Sequence, residues 1–107
     1  MSLQNPPCGW RLFSREEREL QGQQVYRERW VHDESVSGIT FLCYAEAGRL
    51  KYVVEGYGVG TVDPVTFRET VEQAPILRSE HEDFAVATEA LRQLMVETYL
   101  RWQRRST

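Results

Sequence analysis

The C-terminal quarter of the chain constrains the fold most, because it is one uninterrupted amphipathic stretch. From Ser79 to Arg104 the sequence contains neither Gly nor Pro, the two residues least compatible with a helix interior. Ser79 and Glu82 have the spacing of a capping box, which predicts a helix from Ser79 to about Arg104. Successive residues turn by 100°, so the helix has one main apolar stripe and a smaller one opposite. The predicted core stripe is Phe84, Ala87, Leu91, Leu94, Met95, Thr98 and Trp102, and the minor stripe is Val86, Val96 and Leu100.

The middle of the chain alternates between apolar and polar residues with the period of two that β-strands show. The alternation covers residues 36–47 and 49–55, and Ala47-Gly48 between them is typical of a tight turn. These segments predict a β-hairpin. Residues 24–33 predict a strand before it. The glycines at 56, 58 and 60 lack the spacing of a phosphate-binding loop, and they predict a strand that a helix or a ring can approach closely.

Two shorter segments predict helices. Ser14 and Glu17 have capping-box spacing, which predicts a helix over residues 15–21 that ends at Gly22. Asp63-Pro64 resembles a helix start, so we expect a helix over 64–73, although the same residues also fit a strand. The whole chain then predicts an α+β fold, an antiparallel meander of three to four strands packed against the long C-terminal helix. We expect residues 1–9 to form a flexible arm and residues 10–107 to form a single domain, since 107 residues support one core.

Composition narrows the classes of function. Thirteen basic and sixteen acidic residues give a net charge of −3, where a nucleic-acid-binding protein usually shows a broad basic face. No run of residues reaches the apolar length of a membrane span, so we expect no membrane partner. The two cysteines, Cys8 and Cys43, have no metal-binding or disulfide-framework spacing, and a reducing cytoplasm is the simplest compartment. No catalytic or metal-ligand motif singles out a residue, so we expect no enzyme activity, no metal and no cofactor.

The remaining signal concerns association. One helix covers only one face of a sheet, so the other sheet face and the minor helix stripe would both need a cover. We therefore expect a small non-catalytic protein-interaction or adaptor domain that forms a homo-oligomer, with an unidentified protein partner. The candidate interface residues are Trp30, Tyr44, Val86, Val96 and Leu100.

An alternative function is binding of single-stranded nucleic acid. Aromatic and cationic side chains alternate along residues 26–30, and such a mixture on one sheet face could stack bases and hold phosphates. The net negative charge disfavours this alternative. Its candidate contacts are Tyr26, Arg27, Arg29, Trp30, Lys51, Arg104 and Arg105.

Overall fold

The computed structural model describes residues 3–56 and 77–106. They form an α+β fold in which one antiparallel sheet packs against a C-terminal helix. The elements are β1 (Arg11–Leu20), β2 (Gln23–His32), β3 (Ser37–Glu46), β4 (Arg49–Gly56), β5 (Leu77–His81) and α1 (Phe84–Ser106). The strands form a meander in the order β1-β2-β3-β4-β5, and α1 packs against β3, β4 and β5. Within the described ranges no helix combines the length and the apolar character needed to cross a membrane.

The described meander has five strands where the sequence predicts three to four, and β1 and β5 each overlap a segment that was predicted to be helical. Residues 15–21 were predicted to be helical, but residues 11–20 pair with β2, with a bulge between Leu12 and Ser14. The long helix begins later than predicted, because residues 77–81 pair with β4 and place Ser79 opposite Val54. Pairing along a whole neighbouring strand satisfies more backbone groups than a capping box does. The predicted strand past Gly56 and the predicted helix over 64–73 lie outside the described residues.

Asp83 is the residue that begins the helix. Its Oδ1 accepts a hydrogen bond from the backbone N–H of Val86 at 3.1 Å, and its carbonyl accepts one from Ala87 at 3.0 Å. An aspartate in this position satisfies an amide that has no partner within the helix. The prediction that Ser79 caps the helix is therefore wrong by four residues.

The hairpin and the helix stripe are as predicted. Ala47 and Gly48 have φ of 53° and 79°, the positive pair that a type I′ hairpin turn requires. Ile39, Phe41 and Val54 point to the helix. Most of the predicted core stripe is buried, whereas Phe84 stays 49% exposed. The buried members of the stripe are Ala87, Leu91, Leu94, Met95 and Thr98, and Trp102 is half-buried.

Gly56 permits the closest approach between the sheet and the helix. A Cβ built at Gly56 would lie 2.7 Å from Cδ2 of Leu94 and 3.3 Å from its Cγ. These distances are well inside ordinary carbon–carbon contact, so only glycine fits here without movement. The predicted role of the glycine series is thus confirmed at Gly56, and the residues at 58 and 60 lie outside the described ranges.

Residues 1–9 were predicted to be a flexible arm, and two of the described residues of this segment lie against the core. Leu3 is 3% exposed and belongs to the main hydrophobic cluster, and Cys8 packs against that cluster. Trp10 follows the arm; its Nε1 donates a hydrogen bond to the carbonyl of Met95 at 3.0 Å. Trp10 thus links this segment to the helix.

The sheet face opposite the helix is also partly buried. Val31 and Val53 have no exposed surface, and Thr40 is 6% exposed. The sequence argument treated this second face as uncovered, but its centre is buried within the chain.

Candidate functional site

A groove runs between the last strand and the helix, with a volume of about 290 Å³. Alternate residues of β5 point to the same side of the sheet as α1, so Leu77, Ser79 and His81 form one wall. The opposite wall is one side of the helix. The lining side chains are Val54, Leu77, Arg78, Ser79, His81, Ala90, Gln93, Leu94 and Glu97. The groove therefore offers apolar surface with several polar groups at its rim; we call it the edge groove.

The edge groove contains a serine–histidine pair. Nε2 of His81 lies 2.8 Å from Oγ of Ser79, and both residues are half-buried. A serine nucleophile also needs its histidine base oriented by a third group, commonly a carboxylate. Among the described side chains, Ser79 is the hydrogen-bond partner recorded for the His81 ring. Ser79 and His81 lie two residues apart on the same face of β5, and this pair does not form a triad.

The other face of β5 is charged. Arg78 Nε donates a hydrogen bond to Glu55 Oε1 at 3.0 Å, and its Nη1 lies 3.5 Å from Glu80 Oε2. Lys51 Nζ lies 3.2 Å from Glu80 Oε1 and 2.9 Å from Glu46 Oε2. The Lys51 ammonium holds the pKa of Glu80 below its ordinary value, and the bonded carboxylates raise the pKa of Lys51 and Arg78. The last strand is therefore polar on one face and lines a groove on the other.

The predicted interface residues do not share one surface. Trp30 is 1% exposed and packs in the core on the helix side of the sheet. Tyr44 is half-buried on the other side, opposite Val25 and Lys51 in the register. The helix residues are more accessible: Val86 is 53% exposed, Leu100 is 48% exposed, and Val96 is half-buried. Trp30 is thus not available to a partner, whereas Val86 and Leu100 are.

The predicted nucleic-acid contacts are divided between the two faces of the sheet. Tyr26 and Trp30 lie on the helix side, where the Tyr26 hydroxyl and the Trp30 Nε1 both donate hydrogen bonds to Glu28. Arg27 and Arg29, at the intervening positions, lie on the opposite side, because side chains of a strand alternate. The sheet therefore presents no mixed surface of these aromatics and cations.

Three cations of that alternative, Arg27, Arg29 and Lys51, already face carboxylates. Arg27 Nε donates to Glu16 Oε1 at 2.7 Å, and Arg29 Nη2 lies 3.5 Å from the same oxygen. Lys51 is held by the two glutamates described above. Arg104 is exposed near the end of α1, and the side chain of Arg105 lies outside the described part of the structure. Neutralised arginines are poorly suited to phosphate binding.

Glu28 is the residue that the sequence analysis missed. It has no exposed surface and lies in the sheet on the helix side. Its Oε1 accepts the hydrogen bond from Trp30 Nε1 at 3.0 Å, and its Oε2 accepts the one from Tyr26. Burial and the bond to Glu28 raise the pKa of Tyr26 far above its ordinary value. The sequence shows only a charged run, Arg27-Glu28-Arg29, so no signal marks Glu28 as buried.

His32 is the last residue of β2 and is only 3% exposed. Its ring centroid lies 5.6 Å from that of Trp10, 5.7 Å from Tyr99 and 5.2 Å from Trp102. Nδ1 is 2.7 Å from Oγ of Ser35, which is equally buried. This cluster joins the N-terminal arm, β2 and the end of α1, so its geometry is that of a packing contact.

Cysteine and metal chemistry find little support in the described residues. Cys43 lies opposite Tyr26 and Tyr52, and burial raises the pKa of its thiol, which opposes formation of the nucleophilic thiolate. Across residues 3–56 and 77–106, no three His, Cys, Asp or Glu side chains come together as a metal site would require.

The described structure thus defines the chain as an α+β domain with an antiparallel five-stranded meander and one packed helix. Comparison with protein-family models, with curated proteins and with solved structures finds no match for this chain.

Proposed function

We propose that this chain is a non-catalytic protein-interaction domain that self-associates. The observation that carries the proposal is where large apolar side chains remain exposed. Five are exposed among the described residues, and four of these belong to the two neighbouring elements β5 and α1. The four are Leu77 at 40%, Phe84 at 49%, Val86 at 53% and Leu100 at 48%, and the fifth is Leu50 on β4 at 55%.

The positions of the exposed apolar side chains are more informative about function than their number, because single exposed apolar residues are ordinary on any protein surface. The far face of the sheet carries ion pairs around Glu16, Lys51 and Arg78. Leu77 instead lines the edge groove, and Val86 and Leu100 are exposed on the minor stripe of α1, whereas Phe84 belongs to its core stripe. A surface of this kind is typical of a contact with another protein.

Two further observations favour a binding role over a catalytic one. The Ser35–His32 pair is buried, so a substrate has no access to it. The Ser79–His81 pair is accessible, but the described residues supply no orienting carboxylate. These contacts support the packing of the fold and of the groove wall.

The test is the oligomeric state of the full chain, measured by sedimentation equilibrium from about 5 to about 100 micromolar, a range that detects micromolar affinity. We expect a reversible monomer–dimer equilibrium, since closed two-fold dimers are the commonest homo-oligomers. A chain that stays monomeric at about 100 micromolar would remove self-association, and with it the main support for an interaction role.

A further inference from the structure

We propose that two copies of this chain pair through β5, antiparallel and around a two-fold axis that passes beside Ser79. The five described strands of each copy would then join in one continuous sheet, with both helices on the same face. This inference rests on the proposed self-association and identifies the surface that performs it.

The first observation is the position of β5. It is the last strand of the meander and pairs with β4, so among the described strands its other edge is open. Leu77, Arg78 and Glu80 on this strand are exposed. An open edge presents a row of backbone donors and acceptors and is a ready template for another strand.

The second observation is that the charges of β5 are self-complementary. A two-fold axis perpendicular to the sheet keeps each residue on its own face, so one residue must lie opposite its own copy. With Ser79 at that centre, Arg78 lies opposite the partner's Glu80, and Glu80 lies opposite the partner's Arg78. A centre at Arg78 or at Glu80 would instead place two like charges opposite each other. Opposed unlike charges stabilise a strand pair and like charges destabilise it, so among the three central residues of β5 the charges favour Ser79 as the centre.

The third observation is on the groove side of the strand. In the same register Leu77, which is 40% exposed, lies opposite the partner's His81, and the two edge grooves become neighbours. Pairing would therefore shield apolar surface as well as satisfy backbone groups. A single hydrophobic contact of this kind is non-directional, so the charges and not the leucine set the register.

β1, the other strand with a single partner among the described strands, does not have this property. In β1 the residues from Arg15 to Arg18 are all charged, and any axis centred on one of them places like charges opposite each other. The bulge between Leu12 and Ser14 further interrupts regular pairing on this strand. Charged residues and bulges are common means of protecting an edge from association. The proposal therefore concerns β5 alone.

The decisive experiment uses two opposite charge reversals, separately and mixed. Arg78→Glu puts two acidic residues on the edge of each copy, and Glu80→Arg puts two basic residues there. Each variant alone should dimerise about tenfold more weakly than the wild type, because like charges oppose at two symmetric places. An equimolar mixture should form a heterodimer with at least wild-type affinity, because every opposed pair is then unlike. Native mass spectrometry separates the three dimers, since the variants differ in mass.

The mixture is its own control for folding, because each variant has the same fold stability alone and mixed. Arg92→Glu provides a control for net charge, since Arg92 is on the helix and pairs with Glu89 at 3.9 Å. It should dimerise like the wild type. A wild-type dimer with no heterodimer preference in the mixture would place the interface elsewhere and overturn the β5 proposal, while self-association would stand. A monomeric wild type would overturn both.

A cross-link tests the register without changing any charge. In the proposed dimer Ser79 faces its own copy with Cβ atoms about 5 Å apart, close to the span of a disulfide. Ser79→Cys should therefore form a covalent dimer under mild oxidation. The wild type, which retains Cys8 and Cys43, should not form a covalent dimer. The control variant Glu19→Cys, on the exposed part of β1, should not form one either. Equal cross-linking of Ser79→Cys and Glu19→Cys would contradict the two-fold arrangement.

Discussion

Gly56→Ala should destabilise the protein through a contact with one side chain. The added Cβ would lie 2.7, 3.3 and 3.4 Å from Cδ2, Cγ and Cδ1 of Leu94, and Leu94 is itself only 8% exposed. Because carbon atoms pack at about 3.5–4.0 Å, either the leucine or the helix must move by close to 1 Å. Overpacking of this kind costs about 1–3 kcal/mol. The lower chain entropy of alanine when unfolded offsets about 0.4–1 kcal/mol, so the net loss should be about 1–2 kcal/mol.

The assay is a double-mutant cycle with Leu94→Ala, measured by urea unfolding. Trp10 and Trp30 are 3% and 1% exposed, so their fluorescence should report loss of the core. Leu94→Ala alone should cost about 2–5 kcal/mol, because it leaves a cavity. The double variant should cost less than the sum of the two by about 1 kcal/mol or more, since the methyl group added by Gly56→Ala then enters that cavity.

Gly22→Ala is the matched control for this cycle. A Cβ at Gly22 meets no atom within 4 Å, but its φ is +79°, so alanine there costs about 1–2 kcal/mol through the backbone. That cost should add to the cost of Leu94→Ala without coupling. If Gly56→Ala is also additive with Leu94→Ala, the close approach of the helix to β4 is not as described.

Three further predictions concern single polar contacts. Asp83→Ala should lower the free energy of unfolding by about 1 kcal/mol through loss of the helix cap, and an unchanged urea midpoint would mean that the helix begins elsewhere. Glu28→Ala should cost about 3–5 kcal/mol, because it leaves a cavity and removes the acceptor of the Tyr26 hydroxyl and the Trp30 indole; a loss below about 1 kcal/mol would contradict this. The hydrogen bond to Arg27 lowers the pKa of Glu16. The ionised Glu16 therefore stabilises the fold above the ordinary glutamate pKa of 4.5, and this stabilisation is lost as the pH falls through the lowered pKa. The stability difference between wild type and Glu16→Gln should therefore shrink in acid, and a difference independent of pH would disprove the assignment.

Local sequence patterns predicted the parts of the fold that depend on near neighbours. The β3–β4 hairpin follows from strict alternation on both sides of Ala47-Gly48, which supplies its own turn. The core stripe of α1 follows from helical periodicity, because a stripe such as Ala87, Leu91 and Met95 has only one way to be buried together. Both features depend on residues close together in the sequence, so the local pattern is sufficient to predict them.

The errors arose where distant residues decided the outcome. Ser14 and Ser79 each begin a capping-box pattern that would favour a helix in isolation. In the structure both segments are strands, because β2 and β4 offer a full set of backbone partners. A local pattern cannot include those partners, since they lie in other parts of the chain.

The candidate site shows the same division. The sequence alone identified Val86 and Leu100 as apolar residues outside the core stripe, and they are exposed. It could not tell which face of β2 meets the helix, because apolar and charged residues occupy both phases of that strand. The packing of α1 settled this by burying Trp30 and Glu28 together and leaving Arg27 on the far side. The edge groove, likewise, exists only because β5 pairs with β4 beside the helix. Composition and periodicity determined which elements could form, and tertiary packing decided which surfaces remained open, because burial depends on residues far apart in the chain.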